Sequence, residues 1–158
     1  MKFGKVFLMA VLVMACQSIW AQRCKPDGEP IGVYKGVYAH SCGVVNGGSL
    51  TTDHQCAIYV GEFYKQIYGL TLYFGGVNAS DFFREGPNHG FTAYANGGTT
   101  SPAPDDILCY DDGGYGHVAI IREVSSNYIQ VIEENVSCTN ANRQISMSVS
   151  GGRYNVKT

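Results

Sequence analysis

Cys56, His117 and Glu133 are the side chains whose types and positions could break a bond. Cys56 falls in the first turn of HQCAIYVGEFYKQIY, residues 54–68. Val60, Phe63, Tyr64 and Ile67 recur there at i, i+3, i+4 and i+7, the stripe of a helix that faces a core. A helix N-terminus carries partial positive charge and unpaired N–H groups. Both lower a thiol pKa and make the sulfur a better nucleophile near neutral pH. The same N–H groups can hold a developing oxyanion. Taken alone, a cysteine in such a place is more often buried and inert, or disulfide-bonded.

His117 and Glu133 lie on GHVAIIREVSSNYIQVIEEN, residues 116–135. A hairpin with Val124-Ser125-Ser126 as its loop sets Ile121 against Ile129, Ala119 against Val131 and His117 against Glu133. All six side chains then share one face. A slip of one residue would set Val118 against Glu133 and Ile121 against Gln130, mixing apolar with polar partners. The first register places an imidazole beside a carboxylate at the open end of an apolar stripe. A carboxylate orients such a ring and stabilises its cation, which is the base-plus-orienter pair a nucleophile needs. A structural His–Glu contact at a sheet end has the same appearance.

These groups need elements to position them. Ser49, Thr51, Thr52 and Asp53 are N-cap candidates for the helix, and Gly69 closes it. Residues 22–50, with Pro26, Pro30 and many glycines, read as loop. Residues 75–104 read as a long surface loop with one short helix near Ser80–Arg84. Strands are expected at Ile107–Tyr110, Val118–Val124 and Tyr128–Ile132. One helix followed by antiparallel strands is an α+β domain.

The chain has 158 residues, enough for one domain, and 15% charged residues with net charge −2, which gives no electrostatic footprint for nucleic acid. Residues 1–21 read as a secretory signal peptide: Lys2 and Lys5, an apolar run from Val6 to Ala15, then cleavage after Ala21. Val13-Met14-Ala15-Cys16 also fits a lipoprotein box in which Cys16 is lipidated. Removing residues 1–21 takes two lysines and no acids, so the mature balance is 9 − 13 = −4. No other apolar run is long enough to cross a membrane. Residues 22–158 are expected to form a single domain outside the cytosol, where cysteines usually pair. Five cysteines then remain: four for two bridges and one over.

The order of these pieces resembles the CHAP domain (cysteine- and histidine-dependent amidohydrolase/peptidase), within the papain-like cysteine hydrolases. The residues that carry the resemblance are Gln55-Cys56 with Tyr59-Val60, Pro104-Asp105-Asp106-Ile107, Gly116-His117-Val118-Ala119-Ile120-Ile121, and Ile132-Glu133-Glu134-Asn135. It covers about residues 50–137. The resemblance implies a papain-like fold, with the helix that carries Cys56 packed on a small antiparallel sheet that carries His117 and Glu133. It implies amide hydrolysis through a thioester, with Cys56 as nucleophile, His117 as proton carrier and Glu133 as its orienter. Asn135 would support the polar network of the site from the other side of the imidazole, and Gln55 would be positional. Most secreted members cut peptidoglycan, as N-acetylmuramoyl-L-alanine amidases or as peptidoglycan endopeptidases. A branch that hydrolyses glutathionylspermidine is cytosolic, which the signal peptide argues against. One departure is Asp105, where the family often has Gly.

Two bridges, Cys24–Cys42 and Cys109–Cys138, would leave Cys56 unpaired. With no Cys-x-x-Cys and no closely spaced His pair, no metal site and no cofactor are expected. His54, two residues before Cys56, is expected to point away from it, and His40 and His89 to be solvent-exposed in loops. The expected partner is peptidoglycan or its peptide fragments, met by a monomer. Two readings compete: a non-catalytic secreted binding or effector protein on the same scaffold, and a papain-like protease acting on proteins.

Overall fold

The computed structural model describes residues 24–43, 54–72, 78–110 and 114–157. The export segment and the proposed caps Ser49, Thr51, Thr52 and Asp53 lie outside them. The segment expected to be loop contains a hairpin of β1 (Pro30–Tyr34) and β2 (Val37–His40). Its turn, Lys35-Gly36, has φ 50° and 86°. Two successive left-handed residues are what a two-residue type I′ turn requires, and glycine adopts that conformation without a Cβ clash.

Helix α1 (Cys56–Tyr68) forms where the periodicity places it. Tyr59, Val60, Phe63 and Tyr64 are buried and Ile67 is half-buried. Its N-cap is Gln55, which makes no side-chain cap hydrogen bond. Gly69, with φ 69°, ends the helix and donates its N–H to the Lys65 carbonyl. The short helix expected near Ser80–Arg84 is longer: a 3-10 turn at Ala79–Asp81, α2 (Phe82–Glu85), then a 3-10 turn at Gly86–His89.

β3 (Ile107–Tyr110), β4 (His117–Val124), β5 (Tyr128–Ile132), β6 (Asn142–Ser150) and β7 (Arg153–Val156) form an antiparallel meander in that order. β6 and β7 were not foreseen, although Ile145, Met147 and Val149 alternate with polar residues along β6. β4 is the central wall. Val118 and Ile120 pack on Tyr59, Val60 and Phe63 of α1, while Ala119 and Ile121 pack with Ile129, Val131, Ile145 and Met147 on the opposite face. Burial on both faces explains the unbroken run Val118-Ala119-Ile120-Ile121. The second cluster also takes Leu108 and Tyr110 from β3 and Tyr154 and Val156 from β7. The two outermost strands thus converge on one core, so the sheet curls on itself.

The hairpin register differs from the expected one. Ile121 faces Val131 and Ile120 faces Ile132, with an irregularity between Ile121 and Glu123. Ser125 N–H reaches the Tyr128 carbonyl at 2.8 Å, so the loop is Ser126-Asn127. Turn geometry sets register, and next to the turn an extra residue on β4 shifts the pairing again. In the ladder nearest the site the slip is two residues. A two-residue slip leaves every side chain on its expected face.

Both expected disulfides are overturned: Cys24 bonds Cys138. Lys25 N–H donates to the Cys138 carbonyl, so the segment before β1 runs beside the β5–β6 connection. Cys109 sits on β3, with β4 between it and β5. The bridge spans 114 residues of sequence, for which the loop-closure estimate is about 4.8 kcal/mol.

Candidate active site

Cys56 opens α1 and is 8% exposed. Burial pushes its thiol pKa up. The hydrogen bond and charge of His117 outweigh this, helped by the N–H groups of Val118 and Ala57, and the net shift is downward. The first helical turn holds no acid to cancel the effect.

His117 begins β4, and its Nε2 lies 3.0 Å from Glu133 Oε2. The imidazole also hydrogen-bonds the Cys56 side chain. Burial opposes the imidazolium, but hydrogen bonds and charge from Cys56 and Glu133 raise the His117 pKa to about 9. A lowered thiol and a raised imidazole describe one thiolate–imidazolium pair.

Glu133 follows β5 and is 3% exposed. Continuing the β4–β5 register would set it opposite Ala119, so His117 reaches it diagonally on the shared face. Arg143 on β6 grips the same carboxylate twice, Nε to Oε1 at 2.7 Å and Nη2 to Oε2 at 3.0 Å. Arg143 Nη2 also donates to the Tyr110 hydroxyl at 2.8 Å, and its guanidinium lies 5.1 Å from that ring's centroid. The Tyr110 ring is 5.6 Å from the His117 ring. Sequence reading missed Arg143 and Tyr110. Both become visible only from strand pairing: Tyr110 faces His117, and Arg143 faces Val131, two residues from Glu133.

Asn135 has φ 65° and donates from Nδ2 to Gln55 Oε1 at 2.7 Å. It ties the residue before the cysteine to the end of β5. Among the described residues its side-chain hydrogen bond goes to Gln55 rather than to the imidazole, whose Nε2 is held by Glu133. Its Oδ1 is buried without a hydrogen-bond partner among the described residues.

Two backbone features fix the approach to these groups. Gly116, immediately before His117, has φ 70°, and a Cβ there would meet Ser80 N at 2.4 Å. The Ser80 N–H donates to the Tyr115 carbonyl at 3.0 Å, so the 3-10 turn lies directly on the start of β4. Asp105 has φ 77°, a left-handed conformation that glycine adopts more readily than a residue with a Cβ. Its carboxylate is held by Lys35, Tyr68 and Tyr34.

His40 is not a free loop histidine. It ends β2, is half-buried, and stacks on His54 with centroids 5.1 Å apart. His54 therefore faces His40. His89 is exposed.

No helix among the described residues is long and apolar enough to cross a membrane. In comparison with known proteins, the chain is 40% identical over 60 residues to a protein of Streptococcus mutans serotype c named "Putative hydrolase". That match covers 36% of this chain and 28% of the relative, so the chain spans well under a third of the relative's length. The family model of the CHAP domain matches residues 45–135, more than half of the 158 residues. The match contains Cys56, His117, Glu133 and Asn135, the groups that α1, β4 and β5 bring together, and the chain belongs to the CHAP domain family.

Proposed function

We propose that this protein is a secreted cysteine hydrolase that cleaves amide bonds in peptidoglycan, as an N-acetylmuramoyl-L-alanine amidase or a peptidoglycan endopeptidase. The observation that carries the reading is the hydrogen-bonded chain Cys56–His117–Glu133, with its lowered thiol and raised imidazole. Family membership and the hydrolase relative support the reaction class. The Cys24–Cys138 bridge and the signal-like residues 1–21 support export to an oxidising compartment.

In this reading the Cys56 thiolate attacks the amide carbonyl carbon, and the carbonyl π pair moves to oxygen. Backbone N–H groups at the start of α1 receive that oxyanion. His117 gives its proton to the leaving nitrogen, the C–N bond breaks, and a thioester remains on Cys56. Neutral His117 then takes a proton from water as the water oxygen attacks the thioester. Collapse releases the carboxylic acid and restores the thiolate–imidazolium pair. Glu133 keeps the imidazole oriented and charged, and Asn135 holds Gln55 and the entry to α1. A groove of about 470 Å³ shares Tyr110 with the site and offers a surface for the remote part of an extended substrate.

The test is incubation of the purified protein, and of Cys56→Ala, with peptidoglycan sacculi, followed by mass spectrometry of the released fragments. New glycan ends with free lactyl groups indicate an amidase, and new peptide termini an endopeptidase. Absence of any fragment specific to the wild type overturns the reading.

A further inference from the structure

A second cluster of reactive side chains lies beside the first. His40 ends β2, His54 precedes the N-cap of α1, and Glu134 follows Glu133 after β5. One ligand-capable atom of each lies within 4.8 Å of the others. His40 Nδ1 is 3.4 Å from Glu134 Oε1. That is about the edge of a tetrahedron built on metal–ligand bonds of about 2.1 Å. The two imidazole rings lie 5.1 Å apart, tilted by 38°.

The carboxylate is the unusual member. Glu134 is 2% exposed, and among the described residues its ion-pair partner is His40 rather than any lysine or arginine. The His40 backbone N–H donates to Oε1 at 2.6 Å, which orients that oxygen. Glu62 and Asp27 add negative charge around it. The Tyr59 hydroxyl, buried without a hydrogen-bond partner among the described residues, also interacts with the Glu134 charge. A buried carboxyl group, two imidazoles and the negative charge around them make a setting that favours a bound cation.

We infer that His40, His54 and Glu134 bind one zinc ion. Two imidazole nitrogens and one carboxylate suit zinc, whereas calcium and magnesium take oxygen ligands. Three protein ligands leave the fourth tetrahedral position to water. The ion would join the end of β2, the entry to α1 and the exit of β5. Its ligands neighbour Gln55 and Glu133, so it would brace the nucleophile's helix against the strand end that holds the imidazole's partner. No spacing signal marks these ligands, because short spacings mark a metal site and these are separated by 14 and 80 residues.

The test needs no substrate, so its outcome is independent of the proposed hydrolysis. Chelator-treated protein is titrated with Zn2+ by calorimetry, with thermal unfolding measured in parallel. The expected result is one Zn2+ per chain and a raised Tm, both retained in Cys56→Ala. His54→Ala and His40→Ala should each lose at least tenfold in affinity together with the Tm shift. Glu134→Gln should do the same if circular dichroism shows it folded; the two histidine variants decide the matter if it is not. Cobalt substitution should give a spectrum without a thiolate-to-metal charge-transfer band. The inference is overturned if the wild type takes up no Zn2+, if both histidine variants bind as the wild type does, or if binding disappears in Cys56→Ala.

Discussion

Replacing Glu133 by glutamine tests the electrostatics of the site most directly. The change keeps the shape and removes the charge 3.0 Å from His117 Nε2. The His117 pKa stands at about 9 against an ordinary 6.5, which favours the cation by roughly 3 kcal/mol after burial has been overcome. At an effective dielectric constant of about 20, the bare attraction across that distance is about 5.5 kcal/mol, which Arg143 on the same carboxylate offsets in part. The hydrogen bond from Cys56 is the largest favourable contribution, followed by that from Glu133, and burial opposes both. Because Cys56 and Glu133 must together exceed the opposing burial, Glu133→Gln lowers the His117 midpoint by at least about one pH unit. By linkage, the stabilisation from this raised pKa is complete below 6.5 and is lost as pH rises through about 9. In the variant the loss begins earlier. The assay is an NMR titration of the imidazole carbon-bound protons, tractable with only four histidines, and His117→Ala identifies the signal. A wild-type His117 midpoint near 6.5, or a midpoint unmoved in Glu133→Gln, would refute the electrostatic account. Arg143→Met is the control: it removes a cation from the same carboxylate, so the midpoint should not fall. A fall as large as that in Glu133→Gln would mean that orientation rather than charge sets the pKa.

Three further outcomes are expected. Gly116→Ala combines a left-handed backbone cost of about 1 kcal/mol with an overpacking cost of about 1–3 kcal/mol against Ser80. Urea unfolding should show a loss of about 2–4 kcal/mol; a loss under about 0.5 kcal/mol would mean that the close contact is relieved cheaply. At Asp105, alanine removes the Lys35, Tyr68 and Tyr34 contacts while keeping φ 77°, whereas glycine removes the contacts and the backbone cost together. Asp105→Gly should therefore be more stable than Asp105→Ala by about 1 kcal/mol in the same measurement, and equal stability would deny the backbone cost. Cys138→Ser should lower stability by up to about 4.8 kcal/mol and lower the Tm, and an unchanged Tm would show that the Cys24–Cys138 bridge does not form in solution.

What could be read in the sequence was what neighbouring residues decide among themselves. The stripe Val60, Phe63, Tyr64 and Ile67 defines α1, Gly69 stops it, and together they put Cys56 in a first turn. Alternation put His117, Ala119 and Ile121 on one face of β4, and a two-residue slip left that face unchanged. The Lys35-Gly36 turn and the alternation in β6 are equally local signals of strands.

The tertiary structure decided the pairings between distant segments. Cys24 finds Cys138 because the chain before β1 runs beside the β5–β6 connection, which no cysteine spacing encodes. Arg143 and Tyr110 reach Glu133 and His117 through β6 and β3, so they belong to the site only once the strand order is known. His40, His54 and Glu134 meet where three elements end. Local sequence fixes periodicity and face, because those depend on bond geometry over a few residues. Partners, and with them charge compensation and pKa, depend on which surfaces the fold buries against each other.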